Sequence, residues 1–296
     1  MNKFCVVFPG SGEHYLGMGK DALINDKTIS LYNKASDILG INCKSLLDSE
    51  KDMTDIVHFQ LASFLYNLAV YIRFFDNCNV SPTYLTGLSL GQFPCLYLSR
   101  ALDFENTLNL ILSESKITEF LSRKNTTRMA YAYNVSYSEI SETITMYGNN
   151  RVQLISQNSP VNYVYGGVKE DVLKVKKHLD EKCCTGYINV LPAVHTTYMK
   201  EWLHEYDNVL QQINVSCPKI PIISDVTGNL MTKQNVKNIM RQQLISCTHF
   251  QRSIEFILKK GINHFICVGI KRNLERFIKA TAQKHGITVF IKNITI

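Results

Sequence analysis

Hydrophobic and polar residues follow two different periods along the chain, and the order of these periods predicts an α/β fold. Short apolar runs bounded by turn residues predict strands at residues 3–8, 83–86, 220–224, 265–268 and 287–291. Patterns with the helical period lie between them, at residues 28–39, 55–76, 90–99, 104–122, 197–213, 233–245, 250–259 and 271–285. Strands that alternate with helices are typical of a parallel sheet covered by helices on its faces.

The pattern changes between residues 126 and 194. Strand-like runs occur there at residues 128–134, 152–157, 163–167 and 185–190, with helices at 136–147 and 168–182. A β-α-β-β-α-β series of this length is typical of a small ferredoxin-like α+β unit. We therefore predict a large α/β-hydrolase-like catalytic domain with a parallel sheet from residues 1–125 and 195–296, and an inserted ferredoxin-like subdomain from residues 126–194.

Composition indicates a soluble, cytoplasmic protein. Hydrophobic residues make up 45% of the chain and charged residues 19%, which is ordinary for a globular protein. The nine cysteines include no C-x-x-C pair, which favours reduced thiols over disulfides or a metal site. The most apolar stretch, Ile56 to Phe75, contains His58, Gln60, Asn67 and Arg73, so we expect a buried helix rather than a membrane span.

The formal net charge of +7 does not indicate nucleic-acid binding. Lysine and arginine residues are scattered, and no basic stripe interleaved with aromatic residues occurs. A moderately basic surface also suits an acidic protein partner. We expect a monomer that binds neither nucleic acid nor membrane.

A candidate nucleophile lies in the segment Gly87-Leu88-Ser89-Leu90-Gly91, between a predicted strand and a predicted helix. The pattern G-x-S-x-G in that position is typical of a nucleophile elbow, in which a sharp turn exposes the serine hydroxyl. The backbone N–H of Leu90 would then donate to an oxyanion. The alternative is an ordinary glycine-rich turn from strand to helix.

Two further segments could complete a serine site. The loop Pro9-Gly10-Ser11-Gly12 follows the first strand and could present a backbone N–H to the same oxyanion, while its spacing disfavours a nucleotide site. Among the eight histidines, His195 is the candidate base, because it lies where the chain returns from the predicted small subdomain. No aspartate stands out as the third member of a triad, and we predict no metal site.

Several short segments spread over residues 5–285 occur in a characteristic order. They are Phe8-Pro9-Gly10-Ser11-Gly12, Phe59-Gln60-Leu61-Ala62, Gly87–Gln92, Asn158-Ser159-Pro160, Val194–Met199, Ile223-Ser224-Asp225-Val226-Thr227 and Gln242-Gln243-Leu244. Together they resemble the malonyl-CoA:acyl-carrier-protein transacylase family, which includes the stand-alone, trans-acting acyltransferases of polyketide biosynthesis. The elbow resembles the family's G-H-S-L-G-E, and the segment from Ile223 resembles its I-S-N-V-T.

The resemblance implies a mechanism and a set of site residues. Ser89 would attack a thioester carbonyl with His195 as base, and the backbone N–H groups of Ser11 and Leu90 would form the oxyanion hole. A backbone carbonyl near Gln243 would orient His195. The implied substrate pocket contains Gln60, Leu88, Glu114, Asn158, Asn162 and Val194. No cofactor is expected to stay bound, and the phosphopantetheine of an acyl carrier protein, or CoA, would carry the thioester.

Three departures from the family pattern change the expected substrate. Members that use malonyl have an arginine on the helix after the elbow, where alignment places Glu114, and the nearest cation, Lys116, faces another side of that helix. Val194 replaces an aromatic residue, and Leu88 replaces the elbow histidine. The retained serine and histidine with a lost arginine resemble the acyl hydrolase branch, which clears unwanted acyl chains from carrier proteins. The alternatives are an acyltransferase for another acyl unit, and, more remotely, an inactive carrier-protein binding module.

Overall fold

The structure is a computed structural model that describes residues 3–76, 78 and 80–296, and its strands form two separate sheets. The strands are β1 (Cys5–Phe8), β2 (Tyr84–Gly87), β3 (Thr127–Tyr133), β4 (Val152–Ser159), β5 (Asn162–Val168), β6 (Cys184–Ile188), β7 (Ile222–Ile223), β8 (His264–Val268) and β9 (Phe290–Ile294). The α-helices are α1 (Met18–Asp21), α2 (Asp26–Leu39), α3 (Ile56–Phe75), α4 (Gln92–Leu98), α5 (Phe104–Lys124), α6 (Tyr137–Tyr147), α7 (Lys169–Asp180), α8 (Leu203–Gln212), α9 (Val236–Ile245), α10 (Phe250–Lys259) and α11 (Asn273–Lys284). The predicted α/β class is confirmed.

The larger sheet has five strands in the order β7-β2-β1-β8-β9, and every neighbouring pair is parallel. Its central strand β1 is fully buried, which explains its continuous apolar run. Ligands of open parallel sheets bind beyond the carboxyl ends of the strands. Phe8 pairs with Gly87 in the β1–β2 register, so the loop after β1 and the turn after β2 start side by side at that edge.

The smaller sheet is antiparallel, with strand order β4-β5-β3-β6, and helices α6 and α7 pack against it. This order and the β-α-β-β-α-β sequence are those of the predicted ferredoxin-like unit. The backbone N–H of Gln157 donates to the carbonyl of Thr248 at 2.8 Å, which ties β4 to the segment after α9. The exact boundaries of the two domains remain a prediction.

Some predicted elements differ from those observed. The last strand, predicted at residues 287–291, is β9 at Phe290–Ile294, because Gly286 (φ +66°) ends the helix turn and Phe290 is the residue in register with His264. The predicted helices at 90–99 and 197–213 both begin with 3-10 turns, at Ser89–Gly91 and Thr197–Trp202. The short helix α1 was not predicted.

Helix α3 runs through the core and packs against α5. The Asp55 side chain caps it by accepting from the backbone N–H of His58 at 2.9 Å. Gln60, Ser63 and Asn67 are buried along with its apolar residues, which places polar groups inside the core. Over residues 3–76, 78 and 80–296, no helix is both long and apolar enough to cross a membrane.

Candidate active site

Ser89 lies in a sharp turn directly after β2, with a left-handed backbone (φ +52°). This conformation is strained for a residue with a side chain and is the conformation of a nucleophile elbow. A Cβ atom at Gly87 would overlap the backbone of Gly91, and one at Gly91 would overlap the carbonyl oxygen of Phe8. Both glycines are therefore needed for the turn to pack against β1.

The structure places the side chain of His195 directly beside that of Ser89. Ser89 Oγ lies 2.7 Å from His195 Nε2, and His195 Nδ1 lies 2.6 Å from the carbonyl oxygen of Gln243. A carbonyl oxygen only accepts, so Nδ1 carries the proton and the lone pair of Nε2 accepts from the Ser89 hydroxyl. This is the tautomer that a general base requires.

His195 is almost fully buried, and burial lowers the pKa of its imidazole below the usual 6.5. The hydrogen bond to the Gln243 carbonyl opposes this shift, because it stabilises the protonated ring. The net lowering favours the neutral imidazole, which is the form able to take a proton.

Asp225 also belongs to this site, and the sequence analysis missed it. Its Oδ2 accepts from the backbone N–H of Ser89 at 2.6 Å, and its Oδ1 accepts from Gln243 Nε2 at 2.9 Å. Burial raises the pKa of the Asp225 carboxyl to about 7, although these two hydrogen bonds lower it. The available signal was the aspartate itself, which stands where the family's I-S-N-V-T segment has asparagine.

The loop after β1 lies against the elbow, as an oxyanion hole made from both would require. A Cβ added at Gly10 would come within 3.0 Å of the Leu88 carbonyl oxygen. Among the described residues, the bonds found outside regular helices and strands include none from the backbone N–H of Ser11 or Leu90. Their role as an oxyanion hole stays a prediction. Glu13 anchors this loop by accepting from the backbone N–H of Ile270 at 2.8 Å.

Two of the predicted pocket residues lie on neighbouring helices, Gln60 on α3 and Glu114 on α5. Gln60 Oε1 accepts from Ser115 Oγ at 2.6 Å. Glu114 is 5% exposed, and its Oε2 has no hydrogen-bond partner among the described residues. Burial, together with a smaller contribution from the charge of Asp225, raises the pKa of its carboxyl to about 8. Lys116 is exposed, so it supplies no countercharge to this carboxyl.

Tyr206 of α8 adds a second polar group without a partner in the described part of the chain. The tyrosine is fully buried, and its hydroxyl has no hydrogen-bond partner there. Burial raises the pKa of this hydroxyl far above 10, and the charge of Glu114 contributes. Glu114 is thus within electrostatic reach of both Tyr206 and Asp225. Tyr206 is a residue that the sequence analysis did not select.

The other predicted pocket residues are placed less directly. Asn158 Nδ2 donates to Asn162 Oδ1 at 2.8 Å within the β4–β5 hairpin, and no hydrogen bond in the described structure joins either residue to Ser89 or His195. Val194 is buried immediately before His195, and the partly buried Leu88 packs beside the parallel sheet. Their contribution to a substrate pocket stays a prediction.

The arrangement suits acyl transfer through a covalent serine ester. It contains a serine hydroxyl hydrogen-bonded to an imidazole whose pKa is lowered by burial. Within residues 3–76, 78 and 80–296, no group of three or more His, Cys, Asp or Glu side chains is arranged to hold a metal ion.

Comparisons with known proteins identify one family for this chain. The family model described as acyl transferase domain matches residues 5–290. The chain is 28% identical over 268 residues to the polyketide biosynthesis malonyl CoA-acyl carrier protein transacylase BaeC of Bacillus velezensis, covering 89% of this chain and 91% of that protein. It is 25% identical to the malonyl CoA-acyl carrier protein transacylase of Bacillus subtilis, covering 94% of this chain and 90% of that protein.

Solved structures with the same fold are also malonyl transacylases by name. One is a malonyl transacylase in complex with a type II polyketide synthase acyl-carrier protein, with a TM-score of 0.91 at 20% identity over 99% of this chain and 96% of that one. Another is the malonyl CoA-acyl carrier protein transacylase of Clostridium perfringens, with a TM-score of 0.90 at 22% identity over 99% of this chain and 93% of that one. At this identity the likeness establishes the fold.

Proposed function

The chain belongs to the acyl transferase domain family, and on that premise we propose that it removes non-malonyl acyl groups from acyl-carrier-protein thioesters in polyketide or fatty-acid biosynthesis. The acyl group would pass through an ester on Ser89 and be released to water. The hydroxyl–imidazole distance of 2.7 Å supports the serine ester, and the names of the relatives support the carrier-protein partner.

The proposed reaction has two halves that use the same base. His195 Nε2 takes the Ser89 proton as Oγ attacks the thioester carbonyl, and the N–H groups of Ser11 and Leu90 donate to the oxyanion. The C–S bond then breaks, and the imidazolium returns the proton to the departing phosphopantetheine thiol. Water then attacks the ester carbonyl as His195 takes its proton, the bond from the acyl carbon to Ser89 Oγ breaks, and the imidazolium returns the proton to Oγ, which gives the free acid and the free serine.

The observation that carries the non-malonyl preference is the buried Glu114. Malonyl ends in a carboxylate, and a carboxylate in a buried site needs a cation or several donors. No cation is among the groups that act on the Glu114 carboxyl in the described residues. With a pKa of about 8 this carboxyl is mostly neutral at pH 7, so malonyl would lack a countercharge rather than meet a full negative charge.

Transfer to a second carrier-protein thiol is the other candidate. The names of the relatives favour it, because those proteins are called transacylases. Hydrolysis is favoured by the retained Ser89 and His195 together with the lost arginine, the combination in which the chain resembles the acyl hydrolase branch. The two reactions share the acyl-Ser89 intermediate and differ only in whether water or a thiol attacks it.

Trapping the intermediate tests the proposal. The protein is incubated with malonyl, acetyl, longer acyl and aminoacyl thioesters of a carrier protein, and the added mass is measured. We expect adducts with uncharged or cationic acyl groups, little malonyl adduct, and no adduct in Ser89→Ala. An adduct that survives Ser89→Ala, or none with any thioester, would remove the serine-enzyme reading, and rapid malonylation would overturn the role given to Glu114.

Two further arms sharpen the result. Glu114→Arg should gain malonyl adduct, whereas Glu105→Arg, the same change at an exposed site of the same helix, should not. If the buried arginine prevents folding, Glu114→Gln is measured instead. It should form as little malonyl adduct as the wild type, because it adds no cation. Adding holo carrier protein to the acylated enzyme then separates thiol transfer from release of free acid.

A further inference from the structure

The catalytic residues are linked in a closed ring of hydrogen bonds that passes through Asp225. Ser89 Oγ contacts His195 Nε2, and His195 Nδ1 donates to the carbonyl of Gln243. The side chain of the same Gln243 donates to Asp225 Oδ1, and Asp225 Oδ2 accepts from the backbone N–H of Ser89. Gln243 Nε2 also lies 3.4 Å from the carbonyl oxygen of Ser89. Asp225 and Gln243 are fully buried.

Each bond in the ring constrains one of the two reacting groups. The Asp225 bond fixes the peptide that precedes the strained Ser89 Cα, and the Gln243 carbonyl fixes the plane of the imidazole. Because one side chain, Gln243, joins both halves, a shift of Asp225 would move the hydroxyl and the base relative to each other. A misplacement of about 1 Å can cost roughly a hundredfold in rate.

We propose that Asp225 is a positioning residue of this site, and that its ionised carboxylate both holds the Ser89–His195 pair through the ring and stabilises the imidazolium that forms when Ser89 attacks. This inference rests on the proposed function, since it needs an acylating Ser89. A carboxylate accepts more strongly than the amide oxygen of the family's asparagine, and it adds a negative charge to a dry site. The charge is not bonded to the histidine and acts through Gln243 and through space.

The other titratable groups near Asp225 define its ionisation. The charge of Asp225 acts on the carboxyl of Glu114 on α5 and on the thiols of Cys95 on α4 and Cys247 after α9, and His195 joins the same ring through Gln243. Burial raises the pKa of both thiols, so they stay neutral near pH 7. The backbone carbonyl of Asp225 accepts from the N–H of His249, whose own pKa is lowered by burial. Asp225 is therefore the acid expected to change charge near neutral pH within the ring.

The inference predicts a specific pH dependence. As pH rises through about 7, Asp225 becomes ionised, and the rate of Ser89 acylation (kcat/KM) should rise about three- to tenfold. The limb that belongs to His195 lies lower, below 6.5, since burial lowers the pKa of that ring. Two acidic limbs should therefore be resolved, and one of them should depend on Asp225.

Asp225→Asn is the informative variant, because it is isosteric and restores the family residue. Its amide oxygen can still accept from the Ser89 N–H. Its NH₂ would face Gln243 Nε2 unless that side chain turns over, and Gln243 Oε1, which has no partner among the described residues, would then accept from it. The ring can thus re-form without a charge.

The experiment measures kcat and KM for acylation from pH 5.5 to 9 in four variants beside the wild type. We expect Asp225→Asn to lose the limb near pH 7 while keeping KM within about twofold, and Asp225→Ala to lose about a hundredfold in kcat at pH 8. Glu114→Gln should retain the limb, and Asp37→Asn, an exposed control, should match the wild type.

An unchanged pH profile in Asp225→Asn, or disappearance of the limb in Glu114→Gln, would overturn the inference. If Asp225→Ala only lowers the melting temperature and folded protein keeps full kcat, the residue is structural and the inference is wrong. These results differ from failure of the proposed function, in which the wild type itself forms no serine adduct at any pH.

Discussion

The two proposed halves of the site, the catalytic side with Ser89 and His195 and the acyl side with Glu114 and Tyr206, differ in how their polar groups are bonded. On the catalytic side, Ser89 Oγ, both ring nitrogens of His195 and both carboxyl oxygens of Asp225 have hydrogen-bond partners, and Gln243 Oε1 is the exception. On the acyl side, Glu114 Oε2 and the Tyr206 hydroxyl are buried without a partner in the described structure. Buried polar atoms without partners are uncommon and costly.

This difference indicates which half of the site already has its hydrogen bonds before substrate binds. A bonded ring holds the nucleophile and base in place, so little reorganisation is needed at the moment of attack. The acyl side retains unpaired polar atoms, which a polar group of the acyl chain would satisfy. Under the proposed function, the ring supports catalysis and the region around Glu114 selects the acyl group.

The largest expected effect breaks the catalytic side. His195→Ala removes the base and the acceptor of the Ser89 hydroxyl, so the rate of acyl-enzyme formation should fall about 1,000-fold or more. Stopped-flow acylation or time-resolved mass spectrometry measures this rate. His204→Ala, at an exposed histidine, is the control and should match the wild type. A rate within tenfold of the wild type would remove His195 from the reaction.

A smaller effect tests the acyl side through stability. The pKa of Glu114 is raised from 4.5 to about 8 in the folded state, so the folded protein binds more protons than the unfolded chain between those pH values. The contribution of this group to the free energy of unfolding is therefore fully present below pH 4.5 and is lost as pH rises through 8. Between pH 5 and 8.5, titration of Glu114 should lower the free energy of unfolding of the wild type by several kcal/mol. Glu114→Gln should lack this decrease.

Urea unfolding at these two pH values provides the measurement. Asp225, whose pKa is also raised, adds a loss of the same sign in both proteins, so only the difference between wild type and variant is used. Glu105→Gln on the exposed face of α5 should keep the wild-type pH dependence. An equal decrease in the free energy of unfolding of wild type and Glu114→Gln would show that folding does not raise the pKa of Glu114.

The smallest expected effect concerns the hydrogen bond between Ser115 and Gln60, next to Glu114. Ser115→Ala removes the hydroxyl that donates to Gln60 Oε1 at 2.6 Å and should cost about 1 kcal/mol of stability. We expect a few-fold change in KM with kcat within twofold, because the bond lies outside the ring. Ser113→Ala, two residues earlier on the same helix, is the control for steady-state kinetics. A large fall in kcat would contradict the division between the two sides.

The sequence predicted well where the signals are local. The elbow glycines, the strand before them and the helix after them follow one another in the chain, so the turn at Ser89 could be placed from its own residues. The ferredoxin-like series was predicted from hydrophobic periods for the same reason. The last strand was placed too early, because its position depends on pairing with β8 and not on its own pattern.

The role of Asp225 could not be predicted in this way. In the sequence it is one residue of a family-like segment. A triad acid would bond to His195, whereas Asp225 bonds to Ser89 and Gln243 instead. Its place beside Ser89 arises because β7 pairs with β2, which brings the residues that follow each strand to one edge of the sheet. Glu114 was found by alignment, but its neutral state at pH 7 follows from burial between helices.

By itself, the sequence determined the order of helices and strands, the two sheet types and the turn that carries Ser89, since hydrophobic period and glycine spacing act over a few residues. Only the tertiary structure decided that Ser89 Oγ lies 2.7 Å from His195 Nε2 across 106 positions, that Asp225 closes their ring of hydrogen bonds, and that burial raises the pKa values of Glu114 and Asp225. Hydrogen bonds between distant segments and the loss of water around a charge are properties of packing, which no local pattern encodes.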